Sequence, residues 1–148
     1  MSFTVQEKKN GFMPITDTKD IGLDYYPVAT TVNIAKGDVV GDNGSGYAAL
    51  ETALDGATLG IAAADANNAA GADGAIDVPV IPIEAPVVYV VANESGTGIA
   101  QTDVGETVDL ESEDGIDVTD VTVTANGFKI IDLDATNDYA KGRFVAVT

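Results

Sequence analysis

No histidine, cysteine or tryptophan occurs among the 148 residues. Histidine is the side chain that most often moves protons near neutral pH, so the commonest general acid–base device is missing. Without cysteine there is no disulfide framework and no thiolate chemistry. Serine occurs only at Ser2, Ser45, Ser95 and Ser112, each in a polar turn or tail context. None has an obvious activating base, which excludes covalent triads. Long apolar runs are missing too. The longest, residues 87–92, is far too short to span a bilayer. The first eleven residues contain no apolar stretch of signal-peptide length, so the expectation is a soluble protein made in a cytoplasm.

Positive charge is scarce and unevenly placed. Seven basic residues face 24 acidic ones, for a net charge of −17. Lys8, Lys9, Lys19 and Lys36 lie early and Lys129, Lys141 and Arg143 late. Residues 37–128 hold no cation and seventeen acids, including the run Glu111, Glu113, Asp114, Asp117 and Asp120. Such a surface repels phosphate backbones and anionic lipid, so neither nucleic acid nor membrane is an expected direct partner. Solubility, adaptation to salty surroundings and a charge-matched protein partner all remain open as explanations of the acidity.

What is present is the grammar of short strands. The hydrophobic content is 45%, rich in Ala and Val, and sixteen glycines with many Asp and Asn residues mark frequent turns. A chain of this length suits one domain, or one domain with an arm. Residues 30–35 alternate, with Val32 and Ile34 on one face, and Lys36-Gly37-Asp38 turns into Val39-Val40. Asp42-Asn43-Gly44-Ser45-Gly46 is a hairpin signal, because Asn-Gly accepts positive φ at low cost. Further strands are predicted at 46–51, 58–64, 75–83, 86–92, 107–110, 116–124, 128–133 and 143–147, with a helical turn at 99–103. Residues 125–127 and 135–138 read as tight connections. Pro79 and Pro82 each remove a ladder donor, which predicts an edge or bulged strand. Residues 65–74 (DANNAAGADG) lack bulky side chains and read as a flexible surface loop. The expected fold is all-β: a small barrel or sandwich of about ten short strands.

Residues 1–30 follow a different pattern from residues 31–148. Gly11, Pro14, Gly22 and Pro27 interrupt them and no apolar periodicity persists, yet apolar and aromatic residues are numerous. An N-terminal arm ordered against a neighbour explains both facts; an arm folded back on its own domain is the alternative. On the first reading Phe3, Val5, Phe12, Met13, Ile15, Tyr25 and Tyr26 are the candidate partner-contacting residues. Deleting the arm would then leave the domain's stability largely intact.

Motifs for catalysis or ligand binding are weak. With 24 acids, accidental carboxylate pairs are guaranteed, and few aromatics are available to line a sugar cleft. Asp132-Leu133-Asp134-Ala135-Thr136-Asn137-Asp138 resembles the opening of a calcium loop. Its sixth position is Asn137 rather than Gly, and its twelfth is Arg143 rather than Glu. Gly41-Asp42-Asn43-Gly44-Ser45-Gly46 has glycines but also an acid and no following helix, so a hairpin turn explains it better than a phosphate cradle. The expectation is a protein that is not an enzyme, with no cofactor, no metal and no catalytic residues.

Four pieces, made of six short segments in order, carry a family resemblance. Lys36-Gly37-Asp38-Val39-Val40 precedes Leu59-Gly60-Ile61-Ala62, and a small-residue loop leads to Ala75-Ile76-Asp77-Val78-Pro79-Val80. Thr102-Asp103-Val104-Gly105-Glu106-Thr107-Val108-Asp109-Leu110 follows. Phe128-Lys129-Ile130-Ile131-Asp132-Leu133-Asp134 and Gly142-Arg143-Phe144-Val145-Ala146-Val147 complete the set. Over about three-quarters of the chain this arrangement resembles the head-decoration (capsid cement) proteins of tailed bacteriophages. The resemblance implies a compact β-tulip-like domain on the outer capsid surface of a virion, made in the host cytoplasm. It further implies a homotrimer, the major capsid protein as partner, an arm that grips it, and no catalytic residues. An extracellular adhesion or surface-layer β-module, of a kind that can bind calcium, is the competing expectation.

Overall fold

The computed structural model describes residues 10–147, and in them the chain is all-β. The strands are β1 (Met13–Pro14), β2 (Asp24–Pro27), β3 (Asn33–Ile34), β4 (Val39–Asp42), β5 (Ala48–Leu50), β6 (Thr58–Ala62) and β7 (Ala66–Asn67). They continue with β8 (Asp77–Pro82), β9 (Tyr89–Asn93), β10 (Thr107–Ser112), β11 (Gly115–Asp117), β12 (Asn126–Asp134) and β13 (Tyr139–Ala146). One 3-10 turn, Gln101–Asp103, falls where a helical turn is predicted. Among the described residues no helix is long and apolar enough to cross a membrane.

Two rounded units share one wall. In the first, the order is β1-β9-β11-β10-β12-β13, and β9 also pairs with β13. Strands β9, β11, β10, β12 and β13 therefore close into a small five-stranded barrel, with β1 added along β9. Its interior carries Tyr89, Val91, Val108, Leu110, Ile116, Phe128 and Ile130. The second sheet runs β2-β8-β6-β4-β5, and a bridge between Val28 and Ala48 joins its two edges. Val28, Ile34, Val40, Ala48, Ala62, Val78 and Val80 fill that second core. Period-two alternation explains the wall. Val39, Ile61 and Ile81 face the first core while their neighbours Val40, Ala62 and Val80 face the second.

Residues 10–30 do not extend away from this body. Asn10 Nδ2 donates to the Lys36 carbonyl at 3.0 Å and to Asp38 Oδ1 at 2.9 Å. Phe12 N–H donates to the Gly37 carbonyl at 2.8 Å. The crossing requires glycine on both sides. Gly11 and Gly37 have φ of +62° and +96°, and a Cβ on either would overlap the opposite carbonyl. Past the crossing, β1 pairs with β9 (Met13 with Val90) and β2 with β8 (Tyr26 with Val78). The change of sequence pattern near Thr30 thus coincides with no gap in packing. Phe12 is 1% exposed, with ring centroids 6.0, 5.4 and 5.1 Å from Tyr89, Phe128 and Phe144.

Four other expectations need correction. Residues 65–74 are not an unpaired loop. Ala66–Asn67 pairs with β3, and the Asn68 amide donates to the carbonyls of Val28, Ala29 and Ala72 at 3.1, 3.0 and 2.9 Å. Asp73 Oδ1 also accepts from Thr30 N–H. Small side chains are needed here because the backbone itself is what packs. Strand β8 is internal, not an edge; each proline falls beyond the end of one neighbour's ladder. β2 pairs with Asp77 to Val80 and β6 with Val80 to Pro82. The strand predicted at 116–124 stops at Asp117, where Asp117 and Asp120 side chains accept from Thr119 and Thr122 N–H and turn the chain. Strand β12 in turn starts two residues early, so Asn126 and Gly127 belong to it rather than to a turn.

Two substitutions check this packing. Phe12→Ala should lower the unfolding free energy by about 3–5 kcal/mol in chemical denaturation, the usual cost of emptying a core aromatic site. Asn68→Ala should cost more than about 2 kcal/mol, because three carbonyls lose their donor. Amides of residues 66–68 should exchange slowly with deuterium in the native protein and quickly in Asn68→Ala.

Candidate functional site

The sequence-predicted contact residues separate into four groups. Phe3 and Val5 lie outside the described residues. Phe12 is committed to the barrel core, so it has no surface to offer a partner. Met13 is half-buried on β1, and Tyr26 is half-buried against the second core, its hydroxyl 3.4 Å from Asp24 Oδ2. Burial and the neighbouring Asp24 carboxylate push the Tyr26 phenol upward. Ile15 and Tyr25 point outward, 51% and 65% exposed. Leu23, which the site prediction omits, joins them at 38%. Its neighbours Ile21 and Asp24 give no alternation that would have marked it.

Backbone pairing fixes these side chains in place. Ile15 N–H donates to the Val88 carbonyl at 2.9 Å, continuing the β1–β9 ladder by one residue. Tyr25 stands opposite Pro79 on β2. Between these two anchor points residues 15–23 arch over the body, and Lys19 Nζ meets Asp17 Oδ2 at 3.7 Å on the arch. Beneath it lies a cleft of about 740 Å³ whose lining includes Met13, Lys19, Ile21, Leu23, Lys36 and Ile81. Among the described lining residues the one carboxylate, Asp65, is occupied in accepting the Lys36 N–H at 2.7 Å. Those residues therefore give the cleft apolar walls and two lysines but no paired acid and base.

Titratable chemistry sits elsewhere. Burial, then the charges of Asp55 and Asp109, raises Glu51 from its ordinary 4.5 to about 7. Glu51 packs its carboxylate against Gly41, where a Cβ would overlap it. Asp109 Oδ1 accepts from Leu54 N–H at 2.7 Å, and Asp55 Oδ1 accepts from Ala57 N–H at 2.8 Å. Two of the three acids thus hold turns, and none of the three lines the cleft. Asp38 is also raised, by burial, against hydrogen bonds from Asn10 and Ala35 that lower it. It is the acid that ties Asn10 to the body.

The loop that resembles a calcium site has its oxygens in use. Asp134 Oδ1 and Oδ2 accept from the Asn137 N–H and side-chain amide at 3.2 and 2.8 Å. Asp138 Oδ1 accepts from Ile99 N–H and Asn93 Nδ2 at 2.8 and 3.0 Å, with Asp138 itself at φ +62°. This arrangement closes the β12–β13 hairpin and ties it to the segment after β9. Among the described residues no group of three or more His, Cys, Asp or Glu side chains is arranged to hold a metal ion.

The Glu51 environment has a measurable consequence. Its folded pKa lies above its unfolded value, so the native state holds the extra proton between about pH 4.5 and 7. Stability should fall as pH rises through that window and level off above it. Glu51→Gln should flatten this slope and stabilise the protein above pH 7 by about 1 kcal/mol, since water screens most of the shift at a half-exposed group. Thermal unfolding of both forms at pH 5 and pH 8 measures the difference. No protein-family model matches this chain and no curated protein matches it, so the geometry alone describes the site.

Proposed function

We propose that this chain is a non-catalytic structural protein that decorates the outer surface of an assembled tailed-phage head and stabilises it through coat-protein contacts. The order and spacing of the strand segments from Lys36 to Val147 suggest that family. The observation that carries the reading is the placement of Ile15, Leu23 and Tyr25. Three large apolar side chains stand outside within eleven residues, on a segment whose two ends are strand-paired to the body. Apolar groups held outward on a rigid backbone suit docking, since ordering them costs little more on binding.

On this reading the gripping element is a preformed ridge rather than a free arm. Many copies on one shell let each contact be modest, because avidity multiplies them. Self-association as a homotrimer would place three ridges on one capsid site. The −17 charge favours solubility of the unbound protein and opposes non-specific clumping before a shell is available.

The test is to mix the protein with assembled empty heads of candidate tailed phages and measure cosedimentation, with electron microscopy of the pellets. Decorated heads are expected. Ile15→Asp with Tyr25→Asp should weaken attachment at least tenfold while leaving the unfolding temperature within a few degrees, both side chains being exposed. Undiminished attachment of the double variant would remove the ridge from the contact. Bare heads throughout would reject the capsid reading.

A further inference from the structure

The scarce cations of the C-terminal half are gathered on one outer facet of the barrel. Lys129 and Arg143 are directly opposite each other across β12 and β13. Phe128 and Ile130, on either side of Lys129, point into the core, so Lys129 points out; Arg143 is exposed. Lys141 lies two residues from Arg143, hence on the same face, across from Asp132. Met13, Val90 and Lys141 occupy one row across β1, β9 and β13. Ile15, bonded to Val88, extends the next row. The facet is therefore apolar at one side and carries three cations and one acid, Asp132, at the other.

Like charges directly opposite on a sheet destabilise it. In a chain with 24 acids the obvious remedy is a carboxylate between them. Among the described residues, however, neither Lys129 nor Arg143 has an ion-pair partner of the kind that Lys19 has in Asp17. The opposite imbalance exists on the same barrel. At the β10–β11 hairpin the single Ser112 hydroxyl lies 2.6 Å from both Glu94 Oε1 and Asp114 Oδ1, though it has one proton to donate. Glu113 stands between Ser112 and Asp114 in sequence, and Glu111 beside them is exposed. Burial and the charges of Asp114 and Glu113 push Glu94 upward.

The two imbalances cannot relieve each other within one molecule. Thr107, at the start of β10, is opposite Lys129, and Ser112 ends that strand. Five residues at about 3.3 Å each separate the two by roughly 17 Å, beyond a Debye length of about 10 Å at 0.1 M salt. We propose that the Lys129–Arg143 facet is a docking surface for a second copy of this chain, which presents its acidic β10–β11 hairpin to it. The contact is head-to-tail, with different patches on the two copies, so an open assembly keeps one free facet at one end and one free hairpin at the other unless a ring closes. The contact does not rest on the capsid reading, and it needs no coat protein to be observed.

Charge exchange on the full chain tests it, by sedimentation equilibrium in 0.1 M salt. The wild-type protein is expected to associate with rising concentration. Lys129→Glu with Arg143→Glu should weaken association at least tenfold, and so should Glu111→Lys with Glu113→Lys. An equimolar mixture of the two double variants should associate again, because each supplies the charge the other has lost. Circular dichroism of each variant separates misfolding from lost contact, and Lys129→Gln with Arg143→Gln gives a milder version should reversal unfold the barrel. A wild-type protein that stays monomeric up to millimolar concentration overturns the proposal. So does a mixture that associates no better than its components.

Discussion

Two hydrophobic clusters meet across a single layer of backbone, made of β4, β6 and β8, and neither would close without it. A strand in that position must be apolar on both faces. Each of the three accordingly carries an adjacent apolar pair: Val39-Val40, Ile61-Ala62 and Val80-Ile81. The same demand explains Gly60, at φ +155°, where a Cβ would strike the Ile81 carbonyl. Backbones that must also pass close together leave room for few large side chains. That is why a core of this size is built mostly from Val, Ile and Ala, with Phe12, Tyr89, Phe128 and Phe144 gathered in one cluster.

The wall also fixes what the N-terminal segment can do. Phe12 enters the barrel from outside the strand order, and its backbone is pinned at Gly37 just before β4 begins. Because Gly37 N–H in turn donates to the Ala62 carbonyl, the crossing is tied to β6 as well. Movement of residues 10–14 would therefore disturb β4, β6 and the aromatic cluster together. A segment anchored this firmly displays side chains without being free to reach, which is why Ile15, Leu23 and Tyr25 matter more than Phe12 for any contact.

Most of the longer strands were legible because their evidence is local. Alternation and turn residues at 36–46, 58–62, 77–82, 89–92 and 128–133 name their own structure. Phe12 was not legible as a core residue, since its partners Phe128 and Phe144 lie more than a hundred residues away and its neighbours have no period. Asn68 was hidden for a related reason. In DANNAAGADG it resembles any turn asparagine, and its value comes from carbonyls at Val28 and Ala29 that only the fold brings near. Of the candidate contact residues, composition could mark Ile15, Tyr25 and Phe12 alike as apolar. Which of them is outside depends on β1 and β2 pairing with β9 and β8, a long-range fact.

The charge was the most misleading feature of the sequence, and the hydrogen bonds explain why. Asp17, Asp42, Asp55, Asp103, Asp117 and Asp120 each accept a backbone N–H two to four residues away. Asp65, Asp73 and Asp109 do the same across long sequence separations. Much of the acidity is therefore turn chemistry: the thirteen short strands of the described residues need many connections, and aspartate closes them. Asparagine would serve several of these turns as well, so the choice of the charged form adds repulsion between copies at little structural gain. An acid count inflated by turns says little about partners. A cation placed on a regular strand, where no turn requires it and a like charge stands opposite, has no such local explanation. That makes Lys129 and Arg143 more informative about what this surface meets than the whole excess of carboxylates.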